Sequence, residues 1–349
     1  SQKSLFHLSN YLLATNHRIK FVVLDRNINC FYQYSKQIEI IYLDKIKVNI
    51  FILSKLYHNL FKIYSIAKIM KRYQSDYHIS MLTQTNVLVA IANKFSNNTK
   101  LILCERNDPF RQHFNIFWKI LIRFSYNFSN ILTVNSPNAY DYFKSFVKKE
   151  KIKYVINHVK IKNNIKIDQT HKTLVAVGRL NYQKGFDILI KAFKNSQAVK
   201  DGWKLKIIGN TSNRSYYMNL KNISGDYLNS SIFFLDELKS IDDIYKSASF
   251  FILSSRYEGT PNSLLEAASF GIPSIISDSI KLKDNILVNK NNCLIFKNED
   301  IASCIQSIDF AVNNYKNCLI YAKKLKNLIL SNYSLKNANE SWDQVIGDV

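Results

Sequence analysis

One rhythm constrains this chain more than anything else in it, and it runs through the sequence twice. Short β-branched runs alternate with amphipathic stretches of helical period, the pattern of parallel sheets covered by helices. In the first half it predicts strands at Ile19–Leu24, Ile38–Tyr42, His78–Leu82, Lys100–Cys104, Asn130–Asn135 and Lys153–Ile156. Between them it predicts helices over Ser4–Asn16, Leu56–Arg72, Asn86–Lys94, Gln112–Phe128 and Asn138–Val147. Asn157–Gln169 is polar, has no period and reads as a linker. The rhythm then restarts, with strands at Thr173–Val177, Lys204–Ile208, Ser231–Phe234, Ser249–Leu253, Ser274–Ile276 and Cys293–Phe296. A last helix, Leu335–Val345, is capped by Ser334 and carries Trp342. The expected class is therefore α/β with two doubly wound domains, 1–160 and 161–333, followed by a helix over 334–349. A length of 349 residues agrees, being too long for one ordinary core. One irregularity stands out. A doubly wound domain normally opens with a strand and a Gly-rich turn, whereas this chain opens in a helix, so the first strand and turn are expected to be missing from the first domain.

Composition narrows the function classes. With 47% apolar and 21% charged residues the chain is globular, not disordered. No apolar run reaches the ~18 to 20 residues of a membrane-spanning helix. Five scattered Cys without a C-x-x-C argue against a disulfide framework or zinc ribbon and for a reducing compartment. The seven His show no ligand spacing and no D-x-D triplet occurs, so no metal is expected. The net charge is +22 and lies unevenly. Residues 1–165 hold 25 Lys and Arg against 8 Asp and Glu, a balance of +17, and the remainder is +5. That asymmetry points the first half at something anionic, a lipid surface or nucleic acid. The stretch Arg111–Phe128 combines Arg111, Lys119 and Arg123 with Phe114, Phe117, Trp118 and Leu121. It reads equally as a membrane-surface helix or as a helix packed on a sheet. Lys144–Lys153, with five Lys and one Glu, is an anionic-lipid contact or a solvated face.

Two segments carry chemistry. In the first, a strand ends at Leu253, a loop holds Glu258 and Gly259, and Pro261 opens a helix that Gly271 ends. The N–H groups of Asn262, Ser263 and Leu264 lie at that helix N-terminus, where phosphate binds readily. Glu258 and Glu266 bracket the anion site, a layout suited to a nucleotide-sugar: hydroxyls, diphosphate, hydroxyls. A capped surface helix with two solvated Glu accounts for the same residues about as well. In the second, a strand ends in Gly178, and Arg179 and Lys184 flank the loop into the next helix. Both cations then sit on the carboxyl edge of the sheet, where ligands of such folds bind. Arg forks onto phosphate oxygens and Lys adds a point charge.

Here the residues meet a family. G-R-L-x-x-x-K-G-F-D at 178–187, followed by E-G-x-P-N-x-x-L-E-A-x-x-x-G-x-P at 258–273, resembles the retaining glycosyltransferases of family 4, the glycosyl transferases group 1, whose fold is GT-B. Cys104-Glu105-Arg106-Asn107-Asp108-Pro109 is similar to a stretch of the subgroup that builds bacterial surface polysaccharides. The resemblance implies a retaining, metal-independent transfer of a hexose or N-acetylhexosamine. The donor would be a UDP-linked nucleotide-sugar, and the acceptor a lipid-linked glycan in O-antigen, capsule or polysaccharide synthesis. Arg179 and Lys184 would hold the diphosphate, Glu266 the ribose, and Glu258 would face the sugar. Gly259 would let backbone approach that sugar, and Gly178 would belong to the donor site. Asn262 and Ser263 would offer N–H groups to the distal phosphate, with Leu264 beside them in the donor site, and the turn Leu235–Leu238 would pack on the base. Glu105, Arg106 and Asp108 would guide the acceptor, and a strand-end ion cluster is the equal alternative for these three. Asp236 stands where the family usually has Gly. No cofactor is implied, and no nucleic acid. The place implied is the cytoplasmic face of the inner membrane, peripherally bound to its anionic surface. Rival readings are a nucleotide-sugar epimerase, a nucleic-acid-associated GT-B protein and a non-catalytic scaffold of the same fold. The Glu–Glu spacing speaks against the first, and the lack of a nucleic-acid reading motif against the second.

Overall fold

The computed structural model describes residues 2–24, 33–43, 53–96, 99–112, 114–159, 171–238 and 240–347. Most of the predicted linker, and Cys30, lie outside them. The chain divides into two compact units: Ser1–Asn135 with Ala139–Val155 and Asn339–Val349, and Ser136–Asn138 with Ile156–Ala338.

The first unit carries β1 (Lys20–Val23), β2 (Glu39–Tyr42), β3 (Tyr77–Met81), β4 (Lys100–Cys104), β5 (Ile131–Val134) and β6 (Ile152–Tyr154). Its helices are α1 (Gln2–Ala14), α2 (Leu53–Tyr73), α3 (Thr83–Lys94), α4 (Ile116–Ser125) and α5 (Pro137–Phe143). All pairing is parallel. β3, β4, β5 and β6 form one sheet in that order, and β1 and β2 pair in a second. Among the described residues no strand joins the two sheets. Every residue of β5, and all of β4 after Lys100, is buried, as expected of parallel strands covered on both faces. Alternation decides which face each residue serves. Leu101 and Leu103 pack with Val87, Ala90 and Phe143, while Ile102 and Cys104 pack with Leu8, Val155, Trp342 and Val345. Those last two come from α13 (Leu335–Gly347), so the final helix contributes to the core of the first unit. The helix predicted over Gln112–Phe128 is shorter. Asn115 accepts a bond from the Trp118 N–H and starts α4 there, because its side chain satisfies a helix-end donor better than a further turn would.

The second unit is one parallel sheet in the order β12 (Leu294–Phe296), β11 (Ser274–Ser277), β10 (Phe250–Leu253), β7 (Thr173–Val177), β8 (Lys204–Ile208), β9 (Ile232–Leu235). Its helices are α6 (Phe186–Asn195), α7 (Gln197–Lys200), α8 (Arg214–Ser224), α9 (Asp242–Lys246), α10 (Asn262–Phe270), α11 (Ile301–Asn313) and α12 (Tyr315–Asn332). Alternation again builds two core layers. Leu174, Ala176, Phe250 and Ile252 serve one, and Val175, Phe251 and Leu253 the other. The strand order reverses between β7 and β10, so the loops leaving their carboxyl ends run to opposite faces and open a crevice. Both sequence segments singled out for chemistry leave the sheet at that crevice.

Candidate functional site

The two loops at the reversal are laced together by close backbone approach. Gly185, which ends the short turn Tyr182–Lys184, has a φ of 63°, and a Cβ there would lie 2.1 Å from the Ser254 carbonyl oxygen. Only glycine meets both conditions. At Gly209 a Cβ would lie 1.8 Å from the Gly178 carbonyl, so the loops after β7 and β8 touch as well. Hydrogen bonds finish the lacing. Ser254 Oγ donates to the Lys184 carbonyl at 2.9 Å, the Arg256 N–H to Gln183 at 2.8 Å, and Gln183 Nε2 to the Tyr257 carbonyl at 3.0 Å.

This brings Lys184 and Glu258 together. Lys184 Nζ lies 2.5 Å from Glu258 Oε1, with the two side chains 12% and 10% exposed. Ser255 Oγ donates to the same oxygen at 2.7 Å. Gly178 sits under the Lys184 stem. Arg179 follows it and is exposed, and among the described residues it has no carboxylate partner. Among the described residues the crevice thus holds a neutralised pair, Lys184 with Glu258, beside the unbalanced cation Arg179.

Sequence reasoning passed over Arg256. Its guanidinium forks onto Asp187, Nη1 to Oδ1 at 2.9 Å and Nη2 to Oδ2 at 2.8 Å. Nη1 also donates to the Tyr182 carbonyl and Nε to Glu299, both at 2.7 Å. The group lies 3.8 Å from the centre of the Tyr182 ring. Burial disfavours the Arg256 charge, but Asp187 and Glu299 outweigh that and raise its pKa. Burial also opposes ionisation of Asp187, yet bonds from Arg256 and Tyr216 leave its carboxyl below the ordinary value. Arg256 therefore braces the turn that carries Lys184 against the loop that carries Glu258. Its only sequence signal was position, since Asp187 ends one motif and Arg256 stands in the loop two residues before the other.

α10 departs from expectation in two details. It starts at Asn262, with Pro261 in the capping position just before it. The Leu264 N–H is not open to a ligand, because it donates to the Pro261 carbonyl at 3.1 Å. The N–H groups of Asn262 and Ser263 remain at the helix start. Asn157 Nδ2 fixes the Asn262 side chain at 3.0 Å and reaches the Thr260 carbonyl at 3.3 Å. Gly259 is buried in the preceding loop, and Glu266 is half-buried one turn into α10. Leu238 follows β9 and is 41% exposed.

The first-unit residues turn inward, nearer the strand-end alternative than the acceptor-guiding one. Glu105, Arg106 and Asp108 are 0%, 9% and 4% exposed, so none offers an open side chain to an acceptor. Glu105 accepts from Tyr126 Oη, from Asn86 Nδ2 at 3.1 Å and from Thr83 Oγ1 at 3.0 Å. Burial pushes its carboxyl up to about 7 despite those bonds. Arg106 Nη1 donates to the Val155 carbonyl at 3.1 Å, and its guanidinium lies 5.9 Å from the centre of the Trp342 ring. Asp108 caps the turn Pro109–Arg111. The three secure the segment after β4 from within. A sequence shows charge but not which way a strand-end side chain turns, so this burial is visible only in three dimensions.

Comparison with known proteins places this architecture. The chain superposes over 98% of its length on Anabaena Alr3699/HepE, crystallised in complex with UDP, and covers 96% of that protein. The TM-score is 0.77 at 14% identity. The class is GT-B, two Rossmann-like α/β domains. Residues 157–328, about half of the chain and nearly all of the second unit, match the family described as glycosyl transferases group 1. Over 362 residues the chain is 23% identical to a Campylobacter jejuni protein, covering 100% of this chain and 95% of that one. The relative is GalNAc-alpha-(1->4)-GalNAc-alpha-(1->3)-diNAcBac-PP-undecaprenol alpha-1,4-N-acetyl-D-galactosaminyltransferase. A stretch of 104 residues, 27% of this chain and 24% of the relative, is 34% identical to the Escherichia coli UDP-Gal:alpha-D-GlcNAc-diphosphoundecaprenol alpha-1,3-galactosyltransferase. This chain belongs to the glycosyl transferases group 1 family and is a glycosyltransferase.

Proposed function

We propose that the protein transfers a hexose or N-acetylhexosamine from a UDP-sugar to a lipid-linked glycan, with retention at the anomeric carbon and without a metal. The observation that carries this reading is that Arg179 and Lys184 follow β7 and α10 follows β10, the two strands at the reversal, with Lys184 on Glu258 in the loop before α10. As the sugar leaves, negative charge grows on the departing nucleoside diphosphate. Fixed cations and helix N–H groups stabilise that charge without having to reorganise. Arg179 takes the phosphate oxygens first, being unpaired by carboxylate. Lys184 joins them as the diphosphate competes with Glu258 for its ammonium. Glu258 then turns to the sugar, and Glu266 holds the ribose hydroxyls. In a retaining transfer the acceptor hydroxyl attacks on the face the diphosphate vacates, so the proton it loses passes to the leaving phosphate oxygen. The relatives from Campylobacter jejuni and Escherichia coli, whose names specify undecaprenol-linked acceptors, support the acceptor class. The charge balance of +17 in residues 1–165 supports work at an anionic membrane surface, on its cytoplasmic side, where nucleotide-sugars are made. Among the described residues no helix is long and apolar enough to cross a membrane.

The test is turnover with a panel of nucleotide-sugars and a lipid-linked acceptor. Arg179→Ala and Lys184→Ala should each lower turnover about 10²- to 10³-fold, as loss of a transition-state donor does. Glu266→Ala should mainly weaken donor binding, since its ribose contact changes little during reaction. EDTA should leave the rate unchanged. Full activity in both cation variants, or loss of activity on chelation, overturns the assignment.

A further inference from the structure

α4 is apolar on two opposite faces. Trp118, Leu121 and Ile122 turn inward and pack on the core that holds Leu101, Leu103 and Phe143. Ile116, Phe117, Ile120 and Phe124 turn outward and are 74%, 55%, 58% and 62% exposed. Their spacing, with steps of four and seven residues, sets them along one stripe of the helix. A surface helix of a water-soluble domain shows a polar face there, and a contiguous exposed apolar stripe marks a binding surface.

Cations border this stripe. Lys119 and Arg123 flank it on α4 itself and are exposed. The Arg123 guanidinium lies 5.6 Å from the Phe146 ring centre, and Phe146 leads through Tyr142 to Phe110, which is 59% exposed. At the far end Phe124 meets Phe128 edge-on, and Lys94 Nζ lies 5.2 Å from the Phe128 ring centre. Lys151 Nζ donates to the Asn127 and Ser129 carbonyls just beyond α4. Burial, with the neighbouring charges of Lys148 and Lys94, lowers the Lys151 pKa, and Glu150 offsets only part of this. Three lysines thus gather at the end of the helix.

The chemistry of the patch selects its occupant. Isoleucine and phenylalanine side chains at its centre suit acyl chains and not phosphate backbones. A second copy docked face to face would cover the stripe with a surface of the same cationic excess, adding positive charge to positive charge. An anionic bilayer satisfies both parts, taking the apolar stripe below its headgroups and the lysines among them. We propose that α4 is an interfacial anchor, with Ile116, Phe117, Ile120 and Phe124 inserted into an anionic lipid leaflet and Lys94, Lys119, Arg123, Lys148 and Lys151 at its headgroups. This rests on the reading that the chain works at a membrane, and adds which surface docks and that it inserts.

The experiment is co-sedimentation of the full chain with vesicles of phosphatidylglycerol and phosphatidylcholine, or phosphatidylcholine alone, at low and high salt. Wild type should bind the anionic vesicles and keep part of that binding at high salt. Phe117→Ser with Phe124→Ser should lower the partition coefficient about tenfold or more and abolish the salt-resistant part. Lys119→Gln with Arg123→Gln should lose part of the salt-sensitive binding and keep the rest. Unchanged thermal melting shows that the double variants are folded, as expected for exposed side chains. Equal binding by wild type and the double serine variant overturns the anchor while leaving a purely electrostatic attachment in place. So does a wild type that ignores anionic vesicles, including one that is a dimer which the serine variant dissociates. Nucleotide-sugar binding, followed by thermal shift without lipid, separates the two readings. Donor binding without vesicle binding removes only the anchor, and vesicle binding without donor binding removes only the proposed function.

Discussion

Arg256→Met tests whether the brace between the two motif loops governs catalysis. The change keeps a long apolar stem and removes the charged fork. It strands Asp187, which is 19% exposed and keeps only Tyr216 Oη, at 2.8 Å, as a side-chain donor. Breaking a buried ion pair by removing one partner costs about 3 to 5 kcal/mol. Glu299 is 49% exposed, so its share is close to nothing. Asp187 also keeps some water, which puts the cost near the lower end, about 3 kcal/mol. For a domain of this size that is a fall of roughly 6 to 12 °C in melting temperature. The kinetic effect is separate. Without the fork, the turn Tyr182–Lys184 loses the bond of its Tyr182 carbonyl and the Asp187 tie to the β10 loop, while the Ser254, Gln183 and Lys184–Glu258 contacts remain, and a displacement of about 1 Å at Lys184 is worth roughly 10² in rate. The assay is turnover with the donor that wild type uses, measured well below the melting temperature of the variant. Arg256→Lys should recover much of the stability and little of the rate, because an ammonium cannot fork onto Asp187 while also holding the Tyr182 carbonyl. Wild-type turnover in Arg256→Met, with its melting temperature lowered as expected, would refute the bracing argument and leave Arg256 a purely stabilising residue.

Two further outcomes are expected. Glu105 has a folded pKa raised from 4.5 to about 7 by burial, so the folded state binds its proton more tightly than the unfolded chain does. The stability it contributes is full below about 4.5 and is lost as pH rises through about 7. Glu105→Gln should therefore flatten the decline in urea midpoint between about pH 5 and about pH 8, and an identical decline in the variant would contradict this. Trp342, 6% exposed between Leu8, Ile102 and Val345, should cost about 3 to 5 kcal/mol when replaced by Ala, read as a lower urea midpoint; a change below about 1 kcal/mol would show that α13 is not part of the first unit's core.

The sequence by itself determined the architecture, because architecture is written in short-range periodicity. The β-branched run Thr173–Val177 appears as a strand over those same residues, since a strand buried on both faces needs apolar side chains in succession. Ser334 caps the last helix through the Asn337 N–H at 3.1 Å, as its position before an amphipathic stretch implied. The motif spacing placed Arg179, Lys184 and Glu258 on one sheet edge, because parallel strands all end on the same side. Tertiary structure alone decided the rest. It paired Lys184 with Glu258, which lie 74 positions apart, and it turned Arg256 onto Asp187 across 69. It also buried Glu105 while leaving Phe117 and Phe124 in water. The reason is physical. Local sequence sets backbone conformation within a turn or a strand, whereas the direction a side chain faces, and the charge it meets there, depends on elements that reach it from elsewhere in the fold.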